Sequence, residues 1–167
     1  VVLEALKAHR GTNRSKRIEL AVTRRMTAAV PLLVEMAKSE ADPALREDVC
    51  AALVVLGDEA TLPALVAVIL GVEDRRHRDR IETTYLEIAK RHGHDVAPIV
   101  AAMTDDARTI ALLPAMGRVG GPVAEARVEK ALASPDGELK AAGIRALCNW
   151  PDARVSDKLA ELVRQHG

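Results

Sequence analysis

Apolar residues recur along this chain at helical spacing, in stripes that restart at a nearly constant interval. The first stripe runs through Leu45, Val49, Leu53 and Leu56, and the second through Ile81, Tyr85 and Ile88. The third holds Ile110, Leu113 and Met116, and the last Leu139, Gly143, Leu147 and Trp150. An aspartate stands before each stripe: Asp42, Asp74, Asp105 and Asp136, separated by 32, 31 and 31 residues. An aspartate there accepts a hydrogen bond from the open N–H groups of a helix's first turn. A cation follows three or four residues later, at Arg46, Arg78, Arg108 and Lys140.

A second helix is predicted after each of these. Gly57, Gly93, Gly117 with Gly120-Gly121, and Pro151 are the breakers between the two. Asp58, Asp95 and Asp152 are the next caps. Anchored on Pro31, the second helices align at Val1, Pro31, Pro63, Pro98, Ala126 and Asp157. A helix accepts proline only near its first turn. Two residues after each anchor comes an aliphatic: Leu3, Leu33, Leu65, Val100, Val128 and Leu159. The predicted helices cover 1–9, 14–25, 27–38, 43–56, 59–70, 75–92, 95–103, 105–116, 121–133, 136–149 and 153–165. No segment alternates as a strand would. The reading is all-α, as helix pairs of about 31 residues whose apolar faces are buried by stacking on neighbours.

The run Asp42-Pro43-Ala44-Leu45-Arg46, then Ala51-Ala52-Leu53, Leu56-Gly57-Asp58 and Leu62-Pro63-Ala64-Leu65, resembles a HEAT repeat of the short bacterial type, also called the phycobilisome-lyase type. Arg118-Val119-Gly120-Gly121-Pro122 and Ala146-Leu147-Cys148-Asn149-Trp150-Pro151-Asp152-Ala153 are similar to later repeats of large bacterial HEAT proteins. The resemblance implies a right-handed α-α superhelix, here about five helix pairs and one leading helix, forming a single domain over 1–167. The stretch 74–103 departs from the pattern, since its first helix is longer, charged and without the Asp-Pro start. Residues 1–9 align with a second helix lacking its first, so the chain is expected to be a fragment of a longer protein. The last helix sets Val155, Leu159, Leu162 and Val163 on one stripe and Asp157, Lys158, Glu161, Arg164 and Gln165 around the rest, as expected of a capping repeat.

Composition narrows the role more than it defines it. The 167 residues carry 24 Lys and Arg against 24 Asp and Glu, so no protein-wide basic field draws in nucleic acid or membrane. With one Trp, one Tyr and no Phe, the core has to be built from Ala, Leu, Val and Ile. No apolar run approaches the roughly 20 residues that span a bilayer, so membrane insertion is not expected. Val1 to Arg10 does not read as a signal peptide, and no compartment is assigned.

Candidate chemistry is sparse. His92-Gly93-His94-Asp95 is either part of a metal site or a helix end, with Lys90, Arg91 and His92 at its negative pole, Gly93 as the stop and Asp95 as the next cap. The second reading is favoured. Cys50 and Cys148 are read as small buried residues. Three stacked layers at about 10 Å each would set them roughly 30 Å apart, well past the Cα separation of about 7 Å that a disulfide spans. Gly117, Gly120 and Gly121 lie between helices and not after a strand, against a dinucleotide loop. No catalytic constellation, metal or cofactor is expected.

Charge is uneven along the chain. Residues 1–30 hold a balance of +5, which the remainder offsets. Arg14, Arg17, Arg24 and Arg25 fall on one side of a helix, and a second cluster holds Arg75, Arg76, Arg78 and Arg80. These support an alternative role in contacting nucleic-acid phosphates, weakened by the absence of aromatic stacking platforms. In the resembled fold the second helices line the concave surface. The positions equivalent to Lys158, Glu161 and Arg164 there are Leu32, Ala64, Ala67, Leu70, Ile99 and Ala102, rimmed by Glu35, Lys38, Arg127 and Lys130. Either neighbouring helices bury these positions, or they form an apolar surface for a partner. The favoured expectation is a non-catalytic scaffold that binds a protein or peptide, or a second copy of itself, through that face. A third possibility, implied only by the lyase-type resemblance, is a domain assisting an enzyme that handles tetrapyrroles.

Overall fold

The aspartates that announce the stripes act as helix caps in a computed structural model, which describes residues 13–166. Asp42 accepts from the N–H of Ala44 at 2.9 Å, Asp74 from His77 at 2.7 Å, and Asp105 from Arg108 at 2.8 Å. Asp136 accepts from both Glu138 and Leu139. Each bond satisfies a first-turn donor and is worth about 1 kcal/mol. Of the expected second-helix caps, Asp58 makes a reciprocal capping box with Thr61 at a 3-10 turn ahead of its helix, and Asp95 accepts from Ala97 at 2.8 Å from one residue before the N-cap Val96.

Ten α-helices follow among the described residues, with no strand. They are α1 (Arg14–Thr23), α2 (Val30–Ser39), α3 (Pro43–Leu56), α4 (Leu62–Gly71), α5 (Arg75–Arg91), α6 (Ala97–Ala102), α7 (Asp106–Val119), α8 (Pro122–Leu132), α9 (Gly137–Cys148) and α10 (Ser156–His166). The helix expected over 1–9 lies outside the described residues. Helices α2, α4 and α10 are each led in by a single 3-10 turn, at Thr27–Ala29, Glu59–Thr61 and Ala153–Val155. The predicted helices 27–38, 59–70 and 153–165 each run such a turn and its helix together.

Contacts group the chain into two compact units, Val1–Ile88 and Ala89–Gly167. In the first unit α3 packs on α1 and α2, and α2 packs on α4. Leu33, Leu53, Leu65, Ile69, Ile81, Tyr85 and Ile88 are completely or almost completely buried there. Cys50 is buried on α3, and Arg80 of α5 donates to Glu47 of α3 at 2.6 Å, which ties these two helices together. In the second unit α7 packs on α6, α8 and α9, and α9 packs on α8 and α10. Leu113, Val128, Ala131, Ala142, Ala146 and Leu147 form its core, with Trp150, Val155 and Leu159 packed against it. Each buried Leu or Val is worth about 1.5–3 kcal/mol, so aliphatic burial supplies most of what holds the helices together.

Three expectations are corrected. Gly117 does not stop its helix, which continues to Val119. A Cβ on Gly117 would lie 2.2 Å from the Ala146 carbonyl oxygen, so the glycine serves the close approach of α9 to α7. The chain turns instead at Gly120 and Gly121, with φ of 72° and 90°, where a side chain would be strained. Helix α1 ends at Thr23 and not at Arg25, because Arg25 takes a left-handed φ of 49° and the Met26 N–H closes back on the Ala21 carbonyl. Cys148 is exposed and not buried, at the last position of α9.

The anchor alignment holds in two helices with the same offsets. Two, three, five and six residues after Pro31 and Pro63, all side chains are buried: Leu33, Val34, Met36 and Ala37, then Leu65, Val66, Val68 and Ile69. Ala126 instead lies one turn inside α8, whose first residue is Pro122, yet Val128 and Ala131 are buried at the same offsets of two and five.

Candidate functional site

Helices α2 and α4 bury the offsets just described, and Leu62 of α4 is buried as well; several of their other positions are open. Leu32, Ala64 and Leu70 are half-buried, while Glu35, Ala67 and Lys38 are exposed. Where the first turns of the two helices meet, the surface dips into a cavity of about 620 Å³. Its walls are apolar, from Val30, Pro31 and Val34 on one side and Leu56, Ala60 and Ala64 on the other. Two carboxylates, Glu35 and Asp58, stand at its exposed edge. Asp58 is held in place by its capping box, in which the Thr61 hydroxyl donates to Asp58 Oδ1 and accepts from the Asp58 N–H, both at 3.1 Å. The site is therefore a mostly apolar hollow with one carboxylate, Asp58, held at its edge and a second, Glu35, exposed beside it.

The expected binding face is only partly met. Glu35 and Ala64 line the cavity, whereas Leu32, Ala67, Leu70 and Lys38 share its two helices without lining it. Ile99 is a correction: it is completely buried and unable to touch a partner. Its helix α6 has only six residues, and its inward turn is set by Val96 and Ile99, one position out of step with α2 and α4. Ala102 is half-buried on the same short helix. Arg127, half-buried, and Lys130, exposed, lie on α8 in the second unit. The cavity itself escapes a residue-by-residue reading, because half its wall comes from Val30, Leu56 and Ala60 in the 3-10 lead-ins and helix ends.

The N-terminal arginines do not form the expected stripe. Arg14 is ion-paired with Glu40, Arg17 is half-buried, and Arg24 and Arg25 lie beyond the end of α1, off its helical repeat. The second basic cluster is also engaged structurally. Arg78 donates to the Val72 carbonyl through Nε and Nη2, and Arg80 donates to Glu47 at 2.6 Å.

His92 and His94 are exposed in the turn after α5, where Gly93 and His94 are both left-handed and the His94 N–H bonds the Ala89 carbonyl. No group of three or more His, Cys, Asp or Glu side chains among the described residues is placed to hold a metal ion. Burial pushes the Cys50 thiol above its ordinary range, which disfavours a nucleophilic thiolate. No helix of the described residues is long and apolar enough to cross a membrane. Protein-family models give no match to this chain, and no curated protein matches it.

Proposed function

We propose that this chain is a non-catalytic interaction module of HEAT-like helix pairs. It holds a partner peptide whose apolar side chain enters the hollow between α2 and α4, with a neighbouring Lys or Arg meeting Glu35 and Asp58. The observation that carries this reading is a mostly apolar cavity lined also by two exposed carboxylates, of which Asp58 is held by its capping box. The hollow favours burial of an aliphatic or aromatic anchor, and the carboxylates select its flanking charge. The regular capped pairs support the HEAT-like part of the proposal.

Fluorescence anisotropy with two short synthetic peptides tests it, both carrying the same Leu and Met anchors but one flanked by Lys and the other by Glu. The Lys peptide is expected to bind in the micromolar range and the Glu peptide far more weakly. Ala64→Trp, which fills the hollow, and Glu35→Lys, which reverses its edge, should each weaken the Lys peptide at least about tenfold with helicity unchanged by circular dichroism. Equal binding of the two peptides, or normal binding by both variants, would overturn the reading.

A further inference from the structure

A second cavity, of about 370 Å³, opens where the first turns of α3 and α5 meet. It shares no lining residue with the apolar hollow. Three guanidinium groups line it, from Arg46 on α3 and Arg76 and Arg80 on α5. Two carboxylates share the space, Glu47 and Asp74. Asp74 is committed as the cap of α5, taking the His77 N–H at 2.7 Å, with Arg46 Nη1 4.0 Å away. Glu47 is paired with Arg80 at 2.6 Å, but its side chain is 62% exposed and can swing into solvent. Arg76 is exposed at the rim.

The backbone adds to this. The 17-residue α5 and the 14-residue α3 both begin at the cavity, through Asp74 and Pro43, and bring the positive ends of their dipoles to it. With Asp74 holding the third N–H, those of Arg75 and Arg76 have no acceptor within the helix. His77 also lines the cavity while being 8% exposed, and its Nε2 has no hydrogen-bond partner. Three cations and two helix starts outweigh two carboxylates, of which only Asp74 is needed for the fold.

We propose that this cavity binds a phosphate-type oxyanion, with Arg46, Arg76 and Arg80 as its donors over the N-terminus of α5. Arginine is suited to this because its planar fork meets two oxygens at once. On binding, the phosphate oxygens take the place of Glu47 on Arg80, and Glu47 turns outward. The shared chemistry fits both free phosphate and a phosphomonoester on a larger molecule.

The test is a titration of the full chain with inorganic phosphate at low ionic strength, read by arginine side-chain and His77 ring NMR resonances, with chloride at matched ionic strength as the control. Saturable shifts confined to Arg46, Arg76, Arg80 and His77 are expected, at about millimolar affinity. Arg46→Gln and Arg76→Gln should each weaken binding by about tenfold. Glu47→Gln removes the competing carboxylate and should tighten it by about threefold to tenfold, a gain that misfolding cannot imitate. A parallel titration with O-phosphoserine distinguishes the sources: tighter binding than inorganic phosphate assigns a phosphomonoester, and weaker binding assigns the free ion. Shifts matched by chloride, shifts unchanged in the Arg46→Gln and Arg76→Gln variants, or no saturation would overturn the proposal.

Discussion

His77 illustrates how one side chain ties pH to stability. It is buried at the start of α5, and burial lowers its pKa from the ordinary 6.5, with Arg46 acting in the same direction. A backbone contact with Ala37 and the charge of Asp74 oppose these effects without cancelling them. The folded state therefore holds His77 neutral, while the unfolded chain protonates it near the ordinary value. Between the two pKa values the unfolded state binds more protons, so stability rises with pH in that window. Its contribution is complete above the unfolded value and is lost as pH falls through 6.5 toward the lower folded one. Thermal melts from pH 7.5 down to 5 should show a falling midpoint, and His77→Leu should flatten the decline. An equally steep decline in the variant would assign the effect to other groups. Nothing in the sequence marks His77 for this role, since it stands among Arg75, Arg76 and Arg78 in a run that reads as a solvated face.

At the scale of elements, the sharpest constraint lies between α7 and α9. Gly117 faces the backbone of Ala146, and an added Cβ would sit 2.2 Å from its oxygen and 2.7 Å from its Cα. No rotamer relieves a clash with backbone, so α9 would have to move. Gly117→Ala should cost about 3 kcal/mol, whereas Gly71→Ala, with open space around the new methyl, should be neutral or slightly stabilising. Chemical denaturation of the two variants distinguishes them, and equal midpoints would disprove the close-approach account. This glycine also shows where reading the sequence stops. Element order, caps and core offsets were legible because hydrogen-bonding valence and helical period are local properties. The Asp-led first turns and the buried offsets after Pro31 and Pro63 follow from them directly. Gly117 inside a helix and Gly57 at the end of one look alike locally, and only the partner helix separates them. The same holds for Ile99, buried on an inward turn with Val96 one position out of step with α2 and α4, and for Pro114, which α7 tolerates while its carbonyl accepts from Asn149 Nδ2 at 3.3 Å. Of the candidate site, Glu35 and Ala64 were legible as outward positions, but the hollow beside them was not, because concavity belongs to pairs of helices.

For the whole molecule, the two units carry their own spectroscopic reporters. Tyr85 is almost fully buried in the first unit, and the single Trp150 packs on the core of the second. Trp150 Nε1 is buried without a hydrogen-bond partner, so the ring is held by packing alone and its emission should change when α7 and α9 separate. Each unit has its own buried core, so one cooperative transition is not guaranteed. A core truncation should therefore act most on the reporter of its own unit. Leu53→Ala, at a completely buried position of α3, should cost about 2–5 kcal/mol. It should lower the denaturation midpoint read by Tyr85 more than that read by Trp150. Gly117→Ala should do the reverse, since Ala146 and Trp150 belong to the same core. Coincident shifts of both reporters in both variants would mean that the two units unfold as one, and that the coupling between neighbours exceeds the local terms each unit contributes.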